Sequence, residues 1–359
     1  MTRDFSGFLP PAPGAKAPPG AGILQQLGWQ SFFATQISAD EMQATPPVRA
    51  IEVNRSGITV RGDGIDAVLP PDAGVTVGDW LLYDAAQPAA SRVLRRKSLL
   101  KRRAPGSDRQ EQMIAANLDT AFIVTSCNHD FNVARLERYI VLALAAEVTP
   151  VIVLTKPDLC TEEERAAYVT EAEAISDKVA VVTLNALGPD VAGALSPWCR
   201  PGRTIAFLGS SGVGKSTLVN ALAGQDEVAT GPIREDDSRG RHTTTRRQLH
   251  LLGGRGALID TPGMRELQMT EARSGLDDLF ADLEDLAWQC RFRDCRHESE
   301  PGCAVQAAVT AGTIEPVRVA RWQKLANEDA VNAANLAERK AKGRALSRLV
   351  REVKKRKPK

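Results

Sequence analysis

From Val48 the chain breaks into short apolar runs separated by turn residues: VRAIEVN (48–54), GITVRG (57–62), IDAVLP (65–70), GDWLLY (78–83) and SRVLRRK (91–97). Apolar residues at alternate positions, cut by Gly, Asn, Asp and Pro, predict five short strands. Five strands in about 50 residues suit a small β-barrel, and the five-stranded choice is the oligonucleotide/oligosaccharide-binding (OB) fold. Near Asn117 the texture changes. DTAFIVTS (119–126), VTPVIVLT (148–155), KVAVVTLN (178–185) and RTIAFLGS (203–210) are almost unbroken β-branched and apolar runs, with helix-like stretches such as 133–147 and 161–176 between them. Strands without polar alternation are buried on both faces, and strand–helix alternation builds a parallel α/β sheet. After Gly263 the pattern turns helical and bears Cys and His to about Leu325.

The expected organisation is therefore multidomain. It runs as an N-terminal extension (1–44), an OB-fold β-barrel (45–105), an α/β domain (106–273), an α-helical, Cys/His-bearing domain (274–330) and a tail (331–359). The extension opens with a Pro/Gly-rich arm over residues 1–22, and ILQQLGWQSFF (23–33) is apolar enough to dock.

Charge sharpens the picture. The 359 residues carry 46 Lys+Arg and 44 Asp+Glu, a net charge of +2. From Arg339 to Lys359, however, eleven basic residues face Glu352 alone, a charge of +10 that leaves −8 on the rest. An acidic body with a basic tail points to a polyanionic partner. A second basic stretch, Arg92, Arg95, Arg96, Lys97, Lys101, Arg102 and Arg103, reads equally as a solvated edge strand or as a phosphate-contacting face. No run of 18 apolar residues exists, so no transmembrane helix and no membrane partner are expected. The start lacks the basic-then-apolar pattern of a secretory signal. Six cysteines are too few for a disulfide framework in a chain this long, so a reducing, cytoplasmic setting is expected.

The chemistry sits in short motifs. Gly209, Ser210, Ser211, Gly212, Val213, Gly214, Lys215 and Ser216 spell G-x-x-x-x-G-K-S between a strand and the helix-like STLVNALAG, which begins Ser216-Thr217. Such a loop wraps phosphates with backbone N–H groups. Its Lys reaches the β/γ oxygens, where it also stabilises the transferring phosphoryl group, and its Ser ligates Mg²⁺. Thr155, Lys156, Pro157 and Asp158 end another strand. A carboxylate at Asp158 accepts from guanine N1–H and N2–H₂ together, a donor pair adenine lacks. Asn185-Ala186-Leu187 resembles the loop that supports guanine, with Asn where Ser is usual. Asp260-Thr261-Pro262-Gly263 matches D-x-x-G, with Asp260 facing Mg²⁺ and the Gly263 N–H sensing the γ-phosphate. Within Arg241–Thr245, Thr244 is the choice for closing over Mg²⁺. Together these are the loops of a GTPase, but the base-reading pair precedes the P-loop. The site depends on strand adjacency and not on chain order, so the domain reads as circularly permuted.

Further on, Cys290, Cys295, His297 and Cys303 place three thiols and an imidazole within fourteen residues. That donor set suits tetrahedral zinc, which would replace a hydrophobic core in a segment crowded with Arg291, Arg293, Asp294, Arg296 and Glu298. Cys127, Cys160 and Cys199 are read as small core or loop residues.

TKPD (155–158), GSSGVGKSTLVN (209–220), GRHTTTRR (240–247), IDTPGMRE (259–266) and CRFRDCRHESEPGC (290–303) closely resemble the RsgA (YjeQ) family of bacterial GTPases. The likeness covers roughly residues 45–330 and excludes the extension and the tail. It implies an OB domain, a permuted GTPase and a zinc domain. It also implies a late role in 30S ribosomal subunit assembly, with 16S rRNA binding and GTP hydrolysis stimulated by the 30S particle. A monomer that binds GTP or GDP with Mg²⁺ and carries one Zn²⁺ is expected. Met264 stands where many GTPases carry a water-orienting Gln, so the isolated chain should turn over slowly. His242 is the candidate replacement; the alternative is that it only packs or contacts the ribosome. A P-loop kinase and a non-catalytic RNA binder are the competing classes, and Asp158 argues against the first.

Overall fold

A computed structural model of the protein describes residues 22–103, 111–223, 247–260 and 272–334. The chain divides into two compact units, 1–267 and 268–359.

The first unit begins with three short helices, α1 (Ile23–Gln26), α2 (Ser31–Ala34) and α3 (Ala39–Ala44). The last is opened by a reciprocal Ser38/Glu41 capping box. Leu27 and Phe33 from this segment are fully buried, so the apolar run at 23–33 docks as its composition suggests. The small sheet follows as β1 (Pro47–Asn54), β2 (Gly57–Gly62), β3 (Ile65–Leu69), β4 (Trp80–Leu82) and β5 (Arg92–Val93). The first four lie where the alternation placed them, and β5 covers only the start of the fifth expected run. Pairing runs β3-β2-β1-β4-β5, with β1 as the hub. Among the described residues no pairing closes β3 onto β5. Val48, Ala50, Ile58, Val60, Leu69, Val75 and Leu81 form its core.

The expected strand over 91–97 is corrected: it ends at Val93, and a separate hairpin of β6 (Leu99–Arg103) and β7 (Glu111–Ala116) follows. The reason is electrostatic: beyond Leu94, whose N–H still donates to Trp80 O at 2.8 Å, the Arg96 and Lys97 side chains turn inward to the buried carboxylates of Asp79 and Asp119, each at 2.7 Å.

The α/β half comprises β8 (Thr120–Ser126), α4 (Val133–Ala145), β9 (Thr149–Thr155), α5 (Glu162–Glu173), β10 (Ala180–Thr183), α6 (Val191–Leu195), β11 (Thr204–Gly209), α7 (Lys215–Ala223), β12 (Arg247–Leu251) and β13 (Ala257–Asp260). The sheet order is β10-β9-β8-β11-β13-β12, continuing through β1 into the small sheet. The four expected strands are parallel, as their unbroken apolar runs require. β12 is antiparallel to both β13 and β1. Its sequence, RQLHL, has too few apolar residues to announce a strand.

One side chain locks these parts together. Arg49 on β1 is fully buried. Its guanidinium donates to Gly78 O at 3.1 Å, Thr204 Oγ1 at 2.7 Å and Asn117 O at 3.1 Å, and also to Leu27 O. It thus ties the first helical segment, the small sheet and the P-loop strand. A Cβ on Gly28, at φ +90°, would lie 2.4 Å from Arg49 Nη1, so glycine is required there.

The second unit holds α8 (Arg273–Leu279), α9 (Ala281–Ala287), α10 (Ala304–Thr310) and a helix over 316–334. Leu276, Phe280, Leu283, Val305, Val319 and Trp322 are buried within it.

Candidate nucleotide site and metal centre

β8, β9 and β10 step one way across the sheet, and β11 starts again on the other side of β8. That break is a switch point, where open α/β sheets leave a crevice at the carboxyl ends of the strands. β11 ends there at Gly209, and α7 begins at Lys215. Gly209 has φ +142°, and a Cβ on it would sit 2.2 Å from Val124 O, so the strand leaves the sheet in contact with its neighbour's backbone. Gly212 and Gly214 also have positive φ, which lets successive N–H groups turn inward to form an anion-binding nest. Val213 is buried and anchors the loop, while Ser211, Gly212 and Ser216 are exposed and Ser210 and Thr217 half-buried. Lys215 Nζ lies 2.9 Å from Gly209 O and also contacts Ser210 O, with its ammonium in the mouth of the loop.

The base-reading segments converge on the same loop. The Thr155 hydroxyl, fully buried at the end of β9, lies 2.6 Å from Val213 O. Lys156 takes the left-handed conformation at φ +56°, and its Nζ donates to Gly212 O at 2.6 Å. Pro157 starts a single 3₁₀ turn, Pro157–Leu159, which leaves the Asp158 carboxylate exposed. At the end of β10 the Asn185 side chain accepts from Leu187 N at 2.9 Å, closing an Asx turn. A Cβ on Gly214 would stand 3.6 Å from Ala186 Cβ and 3.8 Å from Thr155 Oγ1. Segments at 155–158, 185–187 and 209–216 therefore share one crevice, although the first two come earlier in the chain.

Asp260 is exposed at the end of β13, the strand beside β11. His242, Thr244, Gly263 and Met264 lie outside the described residues. The strand between them, β12, pairs with β1 at Glu52↔Gln248 and with β13 at Gln248↔Asp260. One residue of β12 is thus opposite both the small sheet and the Asp260 position, a link that no motif signalled.

The basic stretch is largely spoken for. Arg92 pairs with Glu41 and Arg96 with Asp79. Lys97 pairs with Asp119, Arg95 stacks over Phe32, and Arg102 donates to Gln112. Five of the seven basic side chains thus have partners within the protein, an arrangement that neither the solvated-edge nor the phosphate-contact reading included.

In the second unit the Cys290, Cys295, His297 and Cys303 ligand atoms all lie within 4.8 Å of one another. His297 Nδ1 is 3.5 Å from both Cys290 Sγ and Cys303 Sγ, and those sulfurs are 3.9 Å apart. Tetrahedral zinc with bonds of about 2.3 Å to sulfur and 2.0 Å to nitrogen sets S···S near ~3.8 Å and S···N near ~3.5 Å. The donor types, and the spacings among Cys290, His297 and Cys303, suit zinc. His297 reaches its place through a left-handed backbone at φ +61°, held by Gln306 Nε2 donating to its carbonyl at 2.6 Å. Backbone N–H groups of Ala304 and Gln306 each donate to a sulfur at 3.4 Å, an outer layer that supports thiolate charge. Burial opposes ionisation at Cys290, yet hydrogen bonding from the Ala304 and Val305 backbone and then from the Cys303 and Cys295 side chains holds its pKa below the ordinary thiol value.

A phosphate loop, a carboxylate-bearing TKPD turn and an Asp-tipped strand at one sheet edge, in rotated chain order, define a circularly permuted P-loop GTPase. Comparison with known proteins gives the family. Residues 93–270 match the RsgA GTPase family. The chain is 48% identical over 336 residues to a Vibrio parahaemolyticus protein named small ribosomal subunit biogenesis GTPase RsgA 2, covering 92% of each. It is 51% identical over 318 residues to the Mesorhizobium japonicum protein named small ribosomal subunit biogenesis GTPase RsgA, covering 86% of this chain and 90% of that one. Among solved structures, YjeQ from Thermotoga maritima aligns with TM-score 0.57 and 26% identity, over 78% of this chain and 96% of that one. YloQ, described as a circularly permuted GTPase, aligns with TM-score 0.55 at 22% identity, a likeness of fold. The chain belongs to the RsgA GTPase family and is a GTP hydrolase.

Proposed function

We infer that the protein acts in the cytoplasm as a monomeric maturation factor of the small ribosomal subunit, binding the 30S particle and 16S rRNA and leaving when GTP is hydrolysed. The observation that carries this is the convergence of the two base-reading segments on Gly214 of the P-loop, in a chain half identical to proteins bearing that name.

Asp158 would select guanine, with Thr155, Lys156 and Pro157 fixing its turn against the P-loop. Backbone groups of residues 209–217 and the Lys215 ammonium would hold the phosphates. Ser216, Thr244 and Asp260 would hold Mg²⁺, which supplies charge neutralisation at the phosphates. Gly263 would register the γ-phosphate, and His242 would orient the attacking water in place of the Gln that Met264 lacks. Cys290, Cys295, His297 and Cys303 would hold one structural Zn²⁺. The proposed organisation has 1–44 as extension, 45–105 as an OB-type RNA-facing unit, 106–273 as GTPase, 274–330 as zinc unit and 331–359 as tail. Exposed aromatic and basic side chains support an RNA contact in the zinc unit: Trp288 is 85% exposed, and Arg291 stacks over Phe292.

The test is GTP turnover by the full chain with and without purified small subunits, across a salt series. Stimulation that falls steeply with salt is expected. Turnover indifferent to small subunits would refute the reading. A His242→Ala protein that binds GTP but keeps full stimulated turnover would remove His242 from the chemistry.

A further inference from the structure

Among the four metal donors of the second unit, His297 alone stands on a left-handed backbone. Outside glycine that conformation is uncommon, and it persists where surrounding contacts over-determine it. The peptide groups on either side of His297 supply those contacts. The Arg296 N–H donates to Glu300 Oε1 at 2.7 Å. The Glu298 and Ser299 N–H groups donate to Glu300 Oε2 at 3.0 and 3.1 Å. One carboxylate thus gathers three backbone donors, one before His297 and two after it. The carbonyls of the same stretch are held separately: Gln323 Nε2 donates to Arg296 O at 2.9 Å, and Gln306 Nε2 to His297 O. The ring is braced as well, 5.2 Å from that of Trp322, whose Nε1 donates to Glu284 Oε1 at 3.1 Å. Glu300 itself is half-buried and lies outside the four-donor group.

We propose that Glu300 is a positioning residue for the metal centre: its carboxylate, by gathering the N–H groups that flank His297, turns the imidazole Nδ1 toward the Cys290 and Cys303 sulfurs. The inference rests on the zinc reading of the four donors. Groups that orient a ligand from outside the coordination sphere contribute strongly, and losing one costs about 10–100-fold in metal affinity. The effect falls on the histidine. Cys303 is fixed independently as the N-cap of α10, where its sulfur accepts from Gln306 N. Loss of the Glu300 anchor should therefore free the imidazole and leave the thiolates in place. Glu300→Gln tests this most directly. It keeps the length and shape of the side chain but turns one of the two oxygens into an NH₂ group, which then faces a backbone N–H on whichever side it lies.

The test uses the full chain under reducing conditions. Zinc affinity is read by competition with a chromogenic chelator. In parallel the zinc is exchanged for Co²⁺, whose visible d–d bands report tetrahedral coordination and whose near-ultraviolet bands report bonds to thiolate. Glu300→Gln should bind zinc about 10–100-fold more weakly. At saturating cobalt its thiolate bands should remain, while its d–d bands move to those of His297→Ala. Glu300→Asp keeps the charge but shortens the reach, and should shift both readings in the same direction; it decides the question if Glu300→Gln takes up no cobalt. Glu298→Gln removes the same charge from the same loop and should leave both readings at wild-type values. Unchanged zinc affinity in Glu300→Gln, weaker binding with unchanged d–d bands, or an equal loss in Glu298→Gln would each overturn the proposal. Wild-type protein that took up neither metal would instead overturn the zinc reading, and this inference with it.

Discussion

Replacing Arg49 by Met isolates what holds the first unit together. Met keeps much of the aliphatic stem and removes the guanidinium from a fully enclosed site. Four hydrogen bonds go. Gly78 O keeps a partner in the Asn117 amide at 3.0 Å, but Leu27 O, Asn117 O and Thr204 Oγ1 lose the donor that reached them. At about 1–3 kcal/mol for each buried group left unsatisfied, the loss is about 3–9 kcal/mol. Removing a buried charge returns part of this, because burial already pulls the Arg49 pKa down to about 10, against the raising effect of Asp119 and Asp79. A net destabilisation of about 3 kcal/mol is expected, hence a fall of about 6–12 °C in Tm for a unit of this size. Scanning calorimetry of the full chain should show the drop in the transition of the first unit. Arg49→Lys should fall almost as far, since one ammonium cannot reach four acceptors in a fork. Melting within about 2 °C of wild type would refute the reasoning.

Three further outcomes follow from single groups. Asp158→Asn loses the carboxylate's paired acceptance from guanine, so GTP affinity should fall about 100-fold while xanthosine triphosphate, which offers a carbonyl at C2, binds better; equilibrium titration of both nucleotides checks this. Asp119 is buried, and although desolvation raises its pKa, Lys97, Gln30 and the Thr204 N–H together lower it. A depressed carboxyl contributes stability that is full above its unfolded pKa and lost as pH falls through the folded one. The chain should therefore lose stability below about pH 4, and Asp119→Asn should weaken it at pH 7 while flattening that acid slope in denaturant titrations. A strong chelator should unfold residues around 288–303 and change the fluorescence of Trp322, whose ring is 5.2 Å from that of His297, while GDP binding by the first unit persists. Unaltered fluorescence with zinc removed would contradict a structural metal.

Much of this was legible because it is local. The five strands at 47–93 follow from alternation within six or seven residues, and the buried strands from unbroken apolar runs. The zinc ligands fall within one short loop, so their spacing alone limits how they can meet. The hairpin at 99–116 and β12 escaped notice, because RQLHL and LLKRR are held by partners supplied elsewhere: Arg247 donates to Met113 O at 2.6 Å across the two. The internal partners of the basic run at 92–103 were hidden for a related reason. Its charges looked free only because Asp79, Asp119 and Glu41 are remote or unmarked in the sequence.

The amino-acid sequence by itself determined the loop chemistry, the rotated motif order and the metal donor set. Each needs only residues close in the chain, whose backbone geometry is set by glycine, proline and β-branching. Tertiary structure alone decided that Arg49 meets Thr204 across 155 residues and that β12 joins the α/β strands to the small β1–β5 set in one continuous sheet. Those contacts exist because burying apolar strand faces forces their polar edges to find partners wherever packing has brought them.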